Sequence, residues 1–173
     1  MTTPLTIWFS GLSGAGKSTL SSATAHALTD RGLRVRLLDS EQLRSSQLGF
    51  DRAARATQVR KLAEFAKAAM KEVDVVLVAA MSLFGDARQA AARIIGPKQF
   101  ALIHVDAPLA LCELRDQKPI YARARSGELR HVVGFDMPYE IPRMPALRVD
   151  THAHDVASCC EQVLGVLELD SQK

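Results

Sequence analysis

Gly11-Leu12-Ser13-Gly14-Ala15-Gly16-Lys17-Ser18-Thr19 follows the apolar run Leu5-Thr6-Ile7-Trp8-Phe9 and leads into an Ala- and Leu-rich stretch, Ser18 to Leu28. The spacing G-x-x-x-x-G-K-[ST] between a strand and a helix describes a loop whose backbone N–H groups cradle the phosphates of a nucleotide. Glycine is required where the backbone turns sharply and must approach a phosphate closely. In this pattern Lys17 reaches the β/γ-phosphates and the Ser18 hydroxyl ligates Mg²⁺, while the helix that begins here points its positive end at the anion. A ligand-free Gly-rich turn has the same local spelling. The strand before the loop and the helix after it decide for a bound nucleotide.

Outward from this loop, strand-like and helical runs alternate to the end of the chain. Strands are expected over Leu5–Phe9, Leu33–Leu38, Val73–Met81, Phe100–Val105 and Leu147–Val149. Helices are expected over Ser18–Arg31, Glu41–Leu48, Arg52–Lys71, Ala87–Ile95, Pro108–Arg115 and Val156–Leu167. Gly32 sits where a C′ residue closes the first of them, and Pro108 opens the fifth. Val59, Leu62, Phe65, Ala66 and Ala69 recur at spacings of three and four, the signature of a core-facing helical stripe. Val73–Met81 is too uniformly apolar for a half-exposed strand and belongs inside a sheet covered on both faces. Alternating β and α with short links predicts a five-stranded parallel sheet with helices on both faces. Ligands of such sheets sit at the carboxyl ends of the strands, so the loop, Asp39–Glu41 and Ser82 should meet in one cleft. Residues 116–145 break the pattern. They are rich in proline and basic residues, with a short helical piece at Ile120–Arg125, and read as a lid.

The chain of 173 residues suits one domain spanning 1–173, with 47% of its residues apolar. A net charge of +3 and no long run of like charge argue against nucleic acid as a partner. The longest apolar runs are strand-length, which argues against a membrane partner. The first residues carry no basic region or cleavage site, and Cys112, Cys159 and Cys160 form neither a disulfide framework nor a metal-binding spacing. A cytoplasmic location is the expectation.

Asp39 and Glu41 follow the second strand and face the loop, as a Mg²⁺-water ligand and an orienter or base for an attacking hydroxyl. The same residues could instead cap a short helix, with Asp39 or Ser40 at the N-cap. Val73–Met81 runs into Ser82, so Asp39 and Glu41 are the carboxylates on the metal side. Among Arg44, Arg55, Arg60, Lys61 and Arg88, some belong to an anion site and some to solvated surface. Phe50 either stacks on a base or anchors its loop. The basic residues of the lid suit charge neutralisation and water exclusion beside a phosphate loop. His152 and His154 read as turn residues, and Cys159-Cys160 as core packing.

The ordered series of motifs resembles the adenylylsulfate kinase (APS kinase) family of P-loop kinases over nearly the whole chain. FSGLSGAGKST is similar to the family's phosphate loop, LLDSEQLR to its L-D-G-D-x-[LV]-R, and GFDRAARATQVRKLAEFAK to G-F-x-x-x-D-R-x-x-N-I-R-R-x-x-E-V-A-K. VDAPLALCELRDQKPIYARARSGEL, VGFDMPYEIP and LRVDT resemble the family's later segments in the same order. The resemblance implies a P-loop kinase fold and transfer of the ATP γ-phosphoryl to the 3′-hydroxyl of adenosine 5′-phosphosulfate. It implies that Gly11, Ser13, Gly14, Ala15, Gly16, Lys17, Ser18 and Thr19 hold MgATP, with Ser18 and Asp39 on the metal. By the same resemblance Arg115 and Thr151 serve the ATP adenine region, and Arg44, Phe50, Arg55, Gln58 and Arg60 bind the adenylylsulfate. Lys17, Asp39, Glu41, Ser82 and Lys118 would carry the chemistry, which needs in-line placement and charge stabilisation and little else. A homodimer is implied as well.

The departures from the family pattern cluster on the acceptor side. Gly-Asp has become Ser40-Glu41, Asn has become Gln58, and the Asp before Arg55 is Ala54. Pro-Tyr-Arg after the serine is Leu83-Phe84-Gly85, and the lid's Gly-Leu is Pro119-Ile120. The lid's Gly-Phe-Thr-Gly is His131-Val132-Val133-Gly134. An aromatic lost at Val132 would remove one face of a base clamp, worth about 1–3 kcal/mol. The competing readings are a kinase of the same fold acting on a different hydroxyl, and a nucleotide-binding module without catalysis. Retention of Lys17, Ser18 and Asp39 speaks against the module.

Overall fold

The computed structural model describes residues 4–40 and 51–170, with side chains to residue 167. Its centre is strand β1 (Leu5–Ser10), flanked on one side by β3 (Val75–Ala79) and β2 (Val35–Asp39) and on the other by β4 (Phe100–Asp106) and β5 (Leu147–Asp150). All four strand pairs are parallel, and Ile7 lies opposite both Leu77 and Ala101. The expected five-stranded parallel sheet is what forms. The uniformly apolar third strand is wholly buried beside the centre, where both of its faces meet helices.

Alternation along the strands feeds two cores. Ile7, Phe9, Leu77, Ile103, Val105 and Val149 face one side and pack with Leu20 and Leu28 of α1 (Lys17–Asp30) and Val163 and Leu164 of α6 (Val156–Asp170). Trp8, Val76 and Val78 face the other and pack with Val59, Leu62 and Ala66 of α2 (Arg52–Ala69) and Ala87, Ala91 and Ile95 of α3 (Gly85–Ile95). In a strand, side chains at i and i+2 share a face, so a single apolar run supplies both layers.

The helix ends follow from local chemistry. Helix α1 stops at a Schellman arrangement: the Gly32 N–H bonds the Thr29 carbonyl, and the Leu33 N–H bonds the Leu28 carbonyl. Gly32 has φ +82°, a conformation that carries little penalty without a Cβ. Helix α2 begins at Asp51, whose carboxylate accepts from the Ala54 N–H at 2.9 Å. Phe65, expected in the core stripe of α2, is 58% exposed, whereas Leu62 is 5% exposed. The buried stripe of α2 is Val59, Leu62, Ala63 and Ala66. Residues 116–145 contain α5 (Ile120–Arg125), reached from α4 (Leu109–Leu114). The short helix expected at Glu41–Leu48 lies outside the described residues. Among the described residues, no helix is long and apolar enough to cross a membrane.

Candidate active site

A cleft of about 680 Å³ opens at the carboxyl ends of the strands. Its lining brings together Ser13, Gly14 and Gly16 to Thr19 of the phosphate loop, Asp39 and Ser40 at the end of β2, and Arg55 and Gln58 on α2. The post-β3 residues Met81 to Phe84 and Arg115 to Lys118, which follow α4, complete it. Residues from five separate stretches therefore converge, as the topology requires.

The loop turns through Gly14 (φ +79°) and Gly16 (φ +99°), the latter as the N-cap of α1, and leaves the first N–H groups of that helix facing the cleft. The Lys17 ammonium donates to the Leu12 carbonyl at 2.6 Å. The Ser18 hydroxyl donates to Asp39 Oδ2 at 2.7 Å, which ties the start of α1 to the end of β2. Behind the loop, the buried Tyr121 of α5 donates its hydroxyl to the Ser13 carbonyl at 3.0 Å. Burial pushes the Tyr121 phenol well above its usual range, with Cys112 adding to the effect, so the group is a permanent donor. Burial likewise raises the Cys112 thiol, against the lowering effect of Lys17 and Arg115.

On the far side of the loop, Arg115 reaches Thr151 twice, Nη1 to the hydroxyl at 3.1 Å and Nη2 to the carbonyl at 2.9 Å. The Thr151 hydroxyl in turn donates to the Ala15 carbonyl at 2.8 Å. Across the cleft, Arg55 Nη2 donates to the His131 carbonyl at 2.9 Å. The Gln58 amide nitrogen is buried and unpartnered among the described residues while its side chain lines the cleft. A buried donor of this kind is costly unless a ligand satisfies it.

Several side chains fall elsewhere. Arg60 is exposed and outside the cleft lining. Arg88, read as a surface or anion-site cation, is buried and gives Nη1 to the Ser82 carbonyl at 2.6 Å and Nη2 to the Glu140 carbonyl at 2.5 Å. Burial lowers its pKa, and the nearby Tyr139 and Glu140 oppose that shift. Val132 is buried among the residues of the first core rather than lining the cleft. Phe84 lines the cleft, with the Arg52 guanidinium 4.0 Å above its ring. Arg52 also pairs with Asp86 at 2.8 Å, so a cation stands near the position where Gly85 has none. Glu41, Arg44 and Phe50 lie outside the described residues. Sequence reading missed Trp8, Ser10, Tyr121 and Tyr139 as parts of the site's frame, because nothing in strand periodicity marks a polar atom's partner 70 or more residues away.

The adenylylsulphate kinase family model matches residues 3–150. The chain belongs to the adenylylsulphate kinase family. It is 41% identical to the adenylyl-sulfate kinase of Aeromonas salmonicida over 167 residues, 95% of this chain and 85% of that one. It is 42% identical to that of Bacteroides fragilis over 166 residues, covering 94% and 81% respectively. Among solved structures, the Mycobacterium tuberculosis APS kinase in complex with AMPPNP and APS superposes with a TM-score of 0.92. That match has 34% identity and covers 97% of this chain and 99% of that one. The shikimate kinase of Aquifex aeolicus, 14% identical with a TM-score of 0.59, shares the fold. This adenylylsulphate kinase family member is a phosphotransferase acting on a hydroxyl, and its P-loop kinase architecture is the one expected from its motifs.

Proposed function

We propose that this protein transfers the γ-phosphoryl of MgATP to the 3′-hydroxyl of adenosine 5′-phosphosulfate, giving ADP and 3′-phosphoadenosine 5′-phosphosulfate. The observation that carries this reading is the single cleft in which the phosphate loop faces Arg55 and Gln58. Its fold matches a kinase that holds AMPPNP and APS together. AMPPNP stands in for ATP, with an imido group replacing the β–γ bridging oxygen so that the phosphoryl is not transferred.

The donor side needs charge neutralisation and close backbone approach, which Lys17 and the Gly14–Gly16 turn supply. Ser18 and Asp39 fit a hard cation: a hydroxyl and a carboxylate at 2.7 Å offer two oxygen ligands. Mg²⁺, when bound, neutralises the phosphates and lowers the cost of charge at the transferring group. Asp39 with Glu41 orients the attacking hydroxyl, and Arg115 with Thr151 holds the adenine end. Arg55 and Gln58 take the acceptor nucleotide, the Gln58 amide finding there the acceptor it lacks. Residues 116–145 act as the lid, with Lys118 brought to the transferring phosphoryl. The protein is proposed to be cytoplasmic, where its three buried free thiols are at home. It is also proposed to act as a homodimer, which light scattering would report as twice 18.9 kDa.

The test is ATP consumption with and without adenylylsulfate, with the product weighed by mass spectrometry. Adenylylsulfate-dependent turnover is expected, and a rate equal to the acceptor-free background overturns the assignment. The apolar wall of Leu83 and Phe84 favours the competing reading of another hydroxyl acceptor. The same assay run on a panel of hydroxyl metabolites decides between the two.

A further inference from the structure

Ser82 stands three residues beyond the end of the buried third strand with φ +43°, in a region that residues other than Gly, Asn and Asp seldom occupy. Backbone held in such a conformation persists only where its surroundings over-determine it. Here they do. Three successive carbonyls after β3 are each taken by a different donor. Met81 accepts from the Ser10 hydroxyl at 2.8 Å, Ser82 from Arg88 at 2.6 Å, and Leu83 from the Glu140 N–H at 2.9 Å. Tyr139 completes the frame through its hydroxyl, 2.8 Å from Ser10 Oγ.

The Ser82 side chain is fixed as well. Trp8, wholly buried on the central strand, gives its indole N–H to Ser82 Oγ at 2.9 Å. An indole nitrogen can only donate, so the serine oxygen is the acceptor in this bond. The proton of Ser82 is thereby left over: among the described residues its hydroxyl has no second partner. Ser82 is 4% exposed and lines the cleft on the side of Leu83 and Phe84, so the surface through which that proton can leave is the cleft itself.

We infer that Trp8 and Arg88 are positioning residues that hold Ser82 so that its hydroxyl donates a hydrogen bond to a lone pair of the acceptor nucleotide. Trp8 occupies the oxygen from behind and turns the proton outward. Arg88 fixes the carbonyl and so the unusual backbone that aims the side chain. Its planar fork spans the Ser82 and Glu140 carbonyls, which a lysine ammonium cannot copy as a rigid pair. The inference rests on the adenylylsulfate reading given above and concerns the acceptor half of the site alone.

The experiment is steady-state kinetics on Ser82→Ala, Trp8→Phe, Trp8→Phe/Ser82→Ala and Arg88→Lys, with MgADP affinity as the measure of the donor half. Ser82→Ala is expected to raise the KM for adenylylsulfate about tenfold, roughly the loss of one buried hydrogen bond, with MgADP affinity within about twofold of the parent. Trp8→Phe and Arg88→Lys should raise the same KM several-fold, and the double variant should be no worse than Ser82→Ala. A purely structural Trp8 predicts the opposite, a Trp8→Phe effect that persists undiminished without the serine hydroxyl. Should Trp8→Phe fail to fold, Ser82→Ala and Ser82→Gly decide the matter: an unchanged KM in both overturns the inference. Parent protein that turns over adenylylsulfate while Ser82→Ala keeps the parental KM removes this inference alone. Parent protein without such turnover removes the functional reading and this inference with it.

Discussion

The Ser18 hydroxyl donates to Asp39 Oδ2 across 2.7 Å, although 21 residues separate them in the chain. One residue lies in the first turn of the helix after the phosphate loop and the other closes the edge strand, so the ends of two strands separated by β3 meet at one pair of oxygens. Asp39→Asn keeps the shape and removes the charge. It is expected to lower kcat about 100-fold, in the range for loss of one preorganised electrostatic contact, with little change in thermal stability. A variant within twofold of the parent would show that the carboxylate does not serve the metal.

Lys17→Ala removes the cation that the loop presents to the β/γ-phosphates. Phosphoryl transfer to any acceptor should fall by about 10²–10³-fold, while circular dichroism and the melting curve stay close to the parent. Full activity in this variant would return the chain to the class of binding modules. Loss of activity with folding intact excludes that class.

Arg115 acts on the other end of the nucleotide through Thr151, which is bonded to the loop at Ala15. Arg115→Ala is expected to raise the KM for ATP about tenfold, equivalent to about 1.4 kcal/mol, and to leave the KM for adenylylsulfate unchanged. Equal effects on both substrates would place Arg115 in the lid's closure rather than at the adenine.

Asp74, at the start of β3, accepts the Arg34 side chain through both carboxylate oxygens and also the Arg34 backbone N–H. These bonds hold its pKa down at about 2. A carboxyl whose folded pKa lies below its unfolded value stabilises the fold above the unfolded pKa and loses that contribution as pH falls through the folded one. The melting temperatures of the parent and Asp74→Asn should differ by a constant amount above about pH 4 and converge as the pH falls toward about 2. A gap independent of pH over that range would mean that the pairing does not contribute.

Leu62 and Phe65 stand three residues apart on α2 and have opposite fates, one buried and the other open to the cleft. Leu62→Ala should cost about 2–4 kcal/mol in denaturant unfolding, the range for emptying a packed leucine site. Phe65→Ala should cost less than about 1 kcal/mol. Similar losses for the two would put Phe65 in the core after all.

That pair also marks the limit of what the sequence discloses. Helical spacing identifies the face of α2 that turns toward the sheet, and it does so correctly for Val59, Leu62 and Ala66. It cannot fix how wide that face is, because this depends on the width of the gap between α2 and the sheet, a property of the assembled layers. Alternation of strands and helices was enough for the parallel sheet, since parallel neighbours require crossovers and helices are the usual ones. Arg88 was illegible for a different reason. A cation on a helix defaults to water, and its burial is decided by two carbonyls, one of them offered by a segment 52 residues further on. Trp8 looked like one more apolar strand residue because the bond that distinguishes it spans 74 residues.

Gly14 and Gly11 of the phosphate loop carry a message about inheritance. A methyl group at Gly14 would overlap the Cys112 carbonyl of α4, and one at Gly11 would overlap the Val105 carbonyl of β4. Both glycines are therefore demanded by the packing of the protein against itself, before any nucleotide arrives. A descendant that abandoned catalysis would still be held to them by folding alone, while Lys17, half-buried, and Ser18, exposed, would be held less tightly. In a lineage of such chains, decay of the enzyme would show first at the lysine and serine, and the glycines would outlast the activity they are usually taken to announce.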